Sequence, residues 1–314
     1  MKVIGLMPVR NESWILRITL EVLSEICDSI IVADQASDDD TREICKDFAS
    51  VVLIHNKETG HSNKVRWQLL DAARSFDGNN LLLSIDADEI IPPSLFKESI
   101  ARIKSQLVLG QGLEFLWVQL WKSPNYWRDD KSVWSNNWKT VAFLDDRKVD
   151  YDRDNVVIND HTSRVPRPAN VGACRLDGVP LLHLQWAAWE RAQLKQAWYR
   201  CAELLNGINP KAINDKYAIT LDDPSARLSR VPSAWLEGIQ VQSLKAQMSI
   251  RSSWHLNEIV HWFDQRGVEF FEPLEIWHVP QLREEFHRRT RRMPRLRTSG
   301  YLGKLVSRFR NMVV

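Results

Sequence analysis

Leu81-Leu82-Leu83-Ser84-Ile85-Asp86-Ala87-Asp88-Glu89 is an apolar run that ends abruptly in three carboxylates. Asp77-Gly78-Asn79-Asn80 turns the chain into it. A short continuous apolar run behind a turn signal reads as a strand covered on both faces. Three such runs stand upstream. Val3-Ile4-Gly5-Leu6-Met7 is stopped by Pro8, Ser29-Ile30-Ile31-Val32-Ala33-Asp34 ends in a carboxylate, and Val51-Val52-Leu53-Ile54-His55 follows. Helix signals separate them. Asn11 is placed to cap a helix carrying Trp14, Ile15, Ile18, Leu20, Val22, Leu23 and Ile26 at roughly the helical period. Ser37-Asp38-Asp39-Asp40-Thr41 opens a second helix, to Phe48, and the pattern predicts a third from about Ser62 to Phe76. Buried strands alternating with helices mean an α/β fold with a mostly parallel sheet. Ligands of such sheets bind beyond the carboxyl ends of the strands, where Asp34 and Asp86 fall.

Further along, Pro92-Pro93 opens a helix to about Leu107, residues 113–158 are strand-like and aromatic, and the helical period returns over 189–206. After Asp222 the pattern predicts mostly helices, punctuated by proline. Composition excludes several classes. With 314 residues, 44% hydrophobic and 26% charged, the chain can bury a sizeable core and is not disordered. Four Cys without a Cys-x-x-Cys pair argue against a zinc ribbon, a thioredoxin-like site or a disulfide scaffold. No apolar run approaches about 18 residues, so no membrane-spanning helix is expected. Pro8, Arg10, Asn11 and Glu12 interrupt the first apolar stretch too early for a signal peptide, and a cytoplasmic location is expected. The net charge of +2 hides a split: residues 283–314 hold ten Arg or Lys against Glu284 and Glu285, so this end is +8 and the remainder −6.

The spacing Asp-x-Asp occurs four times, at 38/40, 86/88, 150/152 and 152/154. Only 86/88 directly follows an apolar strand. Two carboxylates there can hold one divalent cation with open positions, and that cation can bridge a diphosphate. The competing reading is a turn with two solvated Asp.

Three blocks appear in order: Met7-Pro8-Val9-Arg10-Asn11-Glu12, then Asp34-Gln35-Ala36-Ser37-Asp38-Asp39-Asp40-Thr41, then Asp86-Ala87-Asp88-Glu89. Together they resemble the family 2 glycosyltransferases, inverting enzymes of the GT-A fold, a Rossmann-like nucleotide-diphospho-sugar-binding architecture. The likeness extends to members acting in cell-surface polysaccharide or lipopolysaccharide-core synthesis. It implies a catalytic domain over 1–206, with a donor half at 1–107 and an acceptor half at 108–206, ahead of a helical region at 207–314. It implies a UDP- or GDP-sugar donor met by Pro8, Arg10, Asn11, Glu12, Asp34 and Asp86. It also implies Mn²⁺ or Mg²⁺ on Asp88 with Asp86. Lys64 and Arg66 stand where the family often has a basic residue near the diphosphate; the bland alternative is a solvated helix face. Asp38-Asp39-Asp40 replaces the usual Gly before Thr41, and Asp tolerates a left-handed turn better than most residues.

The second half resembles the family through Val179-Pro180-Leu181-Leu182-His183-Leu184-Gln185-Trp186, which implies His183 as a third metal ligand. A satisfied structural histidine is the alternative. Inverting transfer needs a general base to take the acceptor hydroxyl's proton. Asp160, in Ile158-Asn159-Asp160-His161, is the first candidate, with Glu89 and His161 as alternatives. Of the tryptophans at 117, 121, 127, 134 and 138, Trp134 and Trp138 have the most polar setting and are the candidates to meet a saccharide or lipid-linked acceptor. From Tyr301 onward an apolar stripe with basic flanks suggests contact of residues 283–314 with an anionic surface at the inner face of a membrane. No nucleic-acid recognition module is found. A sugar nucleotidyltransferase or a dehydrogenase would need a Gly-rich turn after the first strand, which is absent. A non-catalytic, glycan- or partner-binding relative remains the other alternative.

Overall fold

The computed structural model describes residues 1–56, 62–130, 132, 134–156, 163–224, 226–248 and 254–295. They form two compact units, one of residues 1–188 with 226–250 and one of 189–225 with 251–314. The boundary expected after residue 206 lies within the span of the second unit, and residues 226–250 belong to the first.

The first unit opens with β1 (Val3–Val9), α1 (Ser13–Ser24), β2 (Ser29–Gln35), α2 (Thr41–Lys46), β3 (Val51–Asn56), α3 (Lys64–Ala73) and β4 (Leu81–Ser84). It continues through β5 (Glu89–Ile90), α4 (Pro93–Ile103), β6 (Gly112–Gln119), β7 (Tyr126–Arg128), β8 (Trp138–Leu144), α5 (Arg167–Asn170) and β9 (Cys174–His183). One sheet runs β3-β2-β1-β4-β8-β6-β9-β5. Its first four strands are parallel; β8 joins β4 antiparallel, β6 joins β8 antiparallel, and β9 is parallel to β6. This is the α/β architecture expected, with antiparallel pairing added from β8 onward.

The strand sequences explain themselves by alternation. Ile4 and Leu6 pack on one face of the sheet with Val65, Leu69 and Leu70 of α3. Met7 and Val9 pack on the other with Leu16, Leu20 and Leu23 of α1. Helix α1 is buried on a second side too, where Trp14, Ile15, Ile18 and Val22 meet Ile90, Val118, Leu182 and Leu184. Each such side chain contributes about 1.5–3 kcal/mol on burial.

Pro8 does not stop the first strand. Leu81 N donates to Lys2 O and Ile85 N to Leu6 O, so the even-numbered residues of β1 face β4. The β1–β4 ladder ends at Leu6 opposite Ser84. Pro8 lies past that end, so its missing N–H costs no ladder bond, while it still pairs with Ala33 of β2 by register.

The chain then forms α6 (Trp189–Leu205) and α7 (Pro210–Tyr217), β10 (Leu228–Arg230) and α8 (Val241–Met248), and finally α9 (Trp254–Arg266) and α10 (Pro280–Thr290). The C-terminal region is mainly helical as expected, but β10 is not a helix. It pairs antiparallel with β7, Ser229 opposite Trp127, and Ser229 Oγ donates to Asp129 Oδ2 at 2.6 Å. A three-residue strand whose partner is about a hundred positions away leaves no local pattern. Within the second unit, Leu194, Ala197 and Cys201 of α6, Ile259 and Phe263 of α9, and Leu282 and Phe286 of α10 share one core.

Candidate active site

The first two blocks interlock beyond the ends of β1 and β2. Asn11 takes a left-handed conformation at φ 54° and is buried. Its backbone N–H donates to Ser37 Oγ at 2.9 Å, and its side-chain Oδ1 accepts from Asp38 N at 2.9 Å. Asn11 therefore ties the two turns together instead of capping α1; the residue before that helix is Glu12, with no side-chain cap. The left-handed position in the second turn is Ala36, at φ 54°, not one of the three aspartates. Asp39 acts through its carboxylate, which accepts from Ser13 N at 3.1 Å and Thr41 N at 3.0 Å. Asp34 is buried. It accepts from Ser37 N at 3.2 Å and lies 3.7 Å from the Arg42 guanidinium.

The third block lies beyond β4. Thr19 Oγ1 of α1 donates to Ala87 O at 2.6 Å and holds the turn from below. Asp86 is flanked by two guanidinium groups: Arg66 Nη2 donates to Oδ1 at 2.9 Å and Arg164 Nη2 to Oδ2 at 2.7 Å. Arg66 also donates to Ser84 Oγ at 2.9 Å. Burial alone would raise the Asp86 carboxyl, but Arg164 and then Arg66 outweigh it, and its pKa lies below the ordinary value. Lys64, at the start of the same helix, is exposed. The two basic residues that the sequence offered for the diphosphate are thus separated by the helical period, and Arg66 alone reaches the strand end.

Glu89 is fully buried. Its two oxygens accept from Arg164 Nη1 and Nη2, from Trp117 Nε1 at 2.7 Å and from Asp86 N at 3.0 Å. Burial opposes the charge on Arg164, but Asp86 and Glu89 hold its pKa above the ordinary value. Lys139 of β8 sits 5.0 Å over the Trp117 ring. Burial and the neighbouring Arg164 lower its pKa, with Glu89 opposing.

Register builds the remaining group. Across β6, β9 and β5, Gln119 stands opposite His183, and His183 opposite Glu89. His183 Nε2 lies 3.4 Å from Asp88 Oδ2, and both side chains are nearly buried. His183 Nδ1 lies 2.6 Å from Gln119 Oε1. The Trp117 ring stacks on the imidazole at 4.7 Å. Among the described residues, no three His, Cys, Asp or Glu side chains converge as a formed metal cluster. The donor set at Asp88 and His183 nevertheless suits a hard or borderline divalent cation, a carboxylate oxygen beside an imidazole nitrogen. Asp86 is engaged by its two arginines.

Arg164 and Gln119 are the residues that sequence reasoning missed. Each is a single polar residue with no motif around it, brought in from 75 and 30 positions beyond Glu89 by strand pairing and loop closure. Trp134 packs with Trp121 and Trp186, at centroid distances of 5.8 and 5.3 Å, and with the Arg128 guanidinium. Trp138 on β8 has the Arg175 guanidinium 4.8 Å over its ring. Asp160 and His161 lie outside the described residues, as do residues beyond 295.

Residues 6–159 match the family model described as Glycosyl transferase family 2. No curated protein matches the sequence. Among solved structures, S. aureus TarS 1–349 in complex with UDP is 19% identical over 36% of this chain and 36% of that chain, with a TM-score of 0.30. TarS 1–349 in another crystal structure is 14% identical over 89% of this chain and 81% of that chain, with a TM-score of 0.44. Glucosyl-3-phosphoglycerate synthase from Mycobacterium tuberculosis, in complex with Mn²⁺ and UDP-glucose, is 17% identical over 38% of this chain and 44% of that chain, with a TM-score of 0.28. The match thus spans about a third of the UDP-bound TarS chain.

Proposed function

Since the chain is a family 2 glycosyltransferase of the GT-A fold, we propose that it moves a sugar from a UDP- or GDP-sugar to a hydroxyl of a saccharide or lipid-linked acceptor, with a divalent cation and with inversion. The observation that carries this reading is the placing of Asp34 at the carboxyl end of β2 and of Asn11, Asp86 and Asp88 beyond the carboxyl ends of β1 and β4. That edge is where an open α/β sheet takes its ligand.

Asp34, with Arg10, Asn11, Glu12 and Pro8 around the interlocked turns, takes the nucleoside part of the donor. Arg66 brings a guanidinium to the diphosphate end, suited to bidentate phosphate contact; Lys64 plays at most a peripheral part from its exposed position. Asp88 and His183, with Asp86 beside them, hold Mn²⁺ or Mg²⁺. When bound, the cation supplies positive charge for the departing diphosphate. Asp160 takes the proton of the acceptor hydroxyl as that oxygen attacks the anomeric carbon. His161 is next in line. Glu89 is the weakest of the three candidates, because Arg164, Trp117 and the Asp86 amide engage both its oxygens. Its four hydrogen bonds suit a residue that holds Arg164 and Trp117 in place. Trp138 is assigned to the acceptor surface ahead of Trp134, whose ring is engaged by two other tryptophans.

A thermal-shift screen of nucleotide-sugars with Mn²⁺ or Mg²⁺ tests the reading. One donor should stabilise the protein only with metal, and Asp88→Ala should abolish that shift. No nucleotide effect under any metal condition would favour the non-catalytic alternative. Asp160→Asn should abolish turnover and keep donor binding; unchanged turnover removes Asp160 from the mechanism.

A location at the inner face of a membrane is part of the proposal, carried by the basic C-terminal end. That end is narrower than its composition suggests. Arg288 and Arg289 pair with Glu285, Arg289 also with Asp264, and Arg292 with Glu269 and Glu272. The surface contact is therefore assigned to residues beyond 295. Among the described residues no helix is long and apolar enough to cross a membrane.

A further inference from the structure

We propose that Gln119 is a positioning residue that fixes the tautomer and orientation of His183 for cation binding; this rests on His183 being a cation ligand. Gln119 is the last residue of β6 and is fully buried. Its amide oxygen lies 2.6 Å from His183 Nδ1. An amide oxygen only accepts, so Nδ1 carries the proton, and in the neutral ring that binds a cation Nε2 presents its lone pair. Nε2 faces Asp88 Oδ2 at 3.4 Å, the side from which a cation would be shared. Trp117 covers the ring, with the two planes inclined by 26°. The hydrogen bond thus sets the direction of Nε2 and the stack sets the plane of the ring.

Burial makes the amide informative. Gln119 Nε2 is buried and has no hydrogen-bond partner among the described residues. An apolar side chain of similar length would fill this strand position without leaving a buried donor unmet. The contact that justifies a polar residue here is the one to the imidazole. Metal-ligating histidines generally donate their other ring N–H to such an oxygen, and loss of that partner weakens metal binding about 10–100-fold.

The test uses the full chain titrated with Mn²⁺ alone, the free ion followed by electron paramagnetic resonance. Gln119→Met should weaken Mn²⁺ by about 10-fold or more. Gln119→Glu keeps an acceptor opposite Nδ1 and should restore most of the affinity. His183→Ala separates the two levels of inference. If it weakens Mn²⁺ while Gln119→Met leaves it unchanged, the role of Gln119 is overturned and the ligand assignment stands. If His183→Ala leaves Mn²⁺ unchanged, the ligand assignment itself falls. Long-range ¹H–¹⁵N correlation of the histidine rings in the wild-type chain gives a readout that needs no variant to fold. His183 should show the Nδ1–H tautomer, and the Nε2–H tautomer would overturn the proposal.

Discussion

At Asp86 three charges meet within hydrogen-bond distance: its own carboxylate and the guanidinium groups of Arg66 and Arg164. The arginines hold its pKa below the ordinary carboxyl value against the effect of burial. Such a group stabilises the fold above its unfolded-state pKa, about 3.9, and stops doing so as pH falls through its folded-state value. The stability difference between wild type and Asp86→Asn should therefore be largest near neutral pH and shrink in acid. Denaturant unfolding from about pH 7 to about pH 3 checks this, and a gap that stays constant across the range would contradict it. Asp86 and Asp88 were legible because they follow an apolar strand directly. Their partners were not. Arg164 and Gln119 owe their place to chain closure and sheet register, neither of which leaves a trace in the residues beside them.

The interlocked turns after β1 and β2 show how elements share their caps. Asp39 serves α1 through Ser13 N and α2 through Thr41 N. Its carboxylate answers N–H groups at two helix starts that have no intrahelical partner. Asp39→Ala should cost about 0.5–2 kcal/mol, the range for a lost cap, measured by urea denaturation. Sequence reading gave capping to Asn11, since Asn before a helical period is a sound signal. The nearby Ser37 and Asp38 offered Asn11 better-placed partners, and a neighbouring turn is invisible to a local rule. Pro8 was misread for a related reason: proline breaks a ladder only on the side its nitrogen faces, and β4 has already ended there.

The whole molecule divides into two units with separate cores. In the second, His278 lines a recess of about 710 Å³ together with Trp189, Asp222 and Glu275. His278 is solvent-exposed on one side, and the protein packed on its other side, then the buried Arg200, lower its pKa to about 4. Between about pH 6.5 and that value the unfolded chain binds the proton that the folded one refuses, so stability falls as pH drops through this window. Thermal unfolding at about pH 7.5 and about pH 5 should show the loss, and His278→Gln should reduce it. At the C-terminal end, α10 carries Leu282 and Phe286 into the core of the second unit. A chain ending at residue 295 keeps that helix, whereas a cut at 283 removes most of it. Co-sedimentation with anionic liposomes should be lost in the chain ending at 295, and equal binding by the full chain would remove the membrane contact.

The order of buried strands and helices, and the carboxylates at their ends, could be read from the sequence. Alternation and apolar runs are local properties, and a strand end is fixed by the strand before it. Tertiary structure decided which charges face one another. It placed Arg66 and not Lys64 on Asp86, gave both oxygens of Glu89 to distant donors, and set His183 between Asp88 and Gln119. The physical reason is that nearly all buried polar groups find a partner within about 3 Å. Here those partners come from strands joined by register, from α3 and from the segment before α5, not from neighbours in the chain.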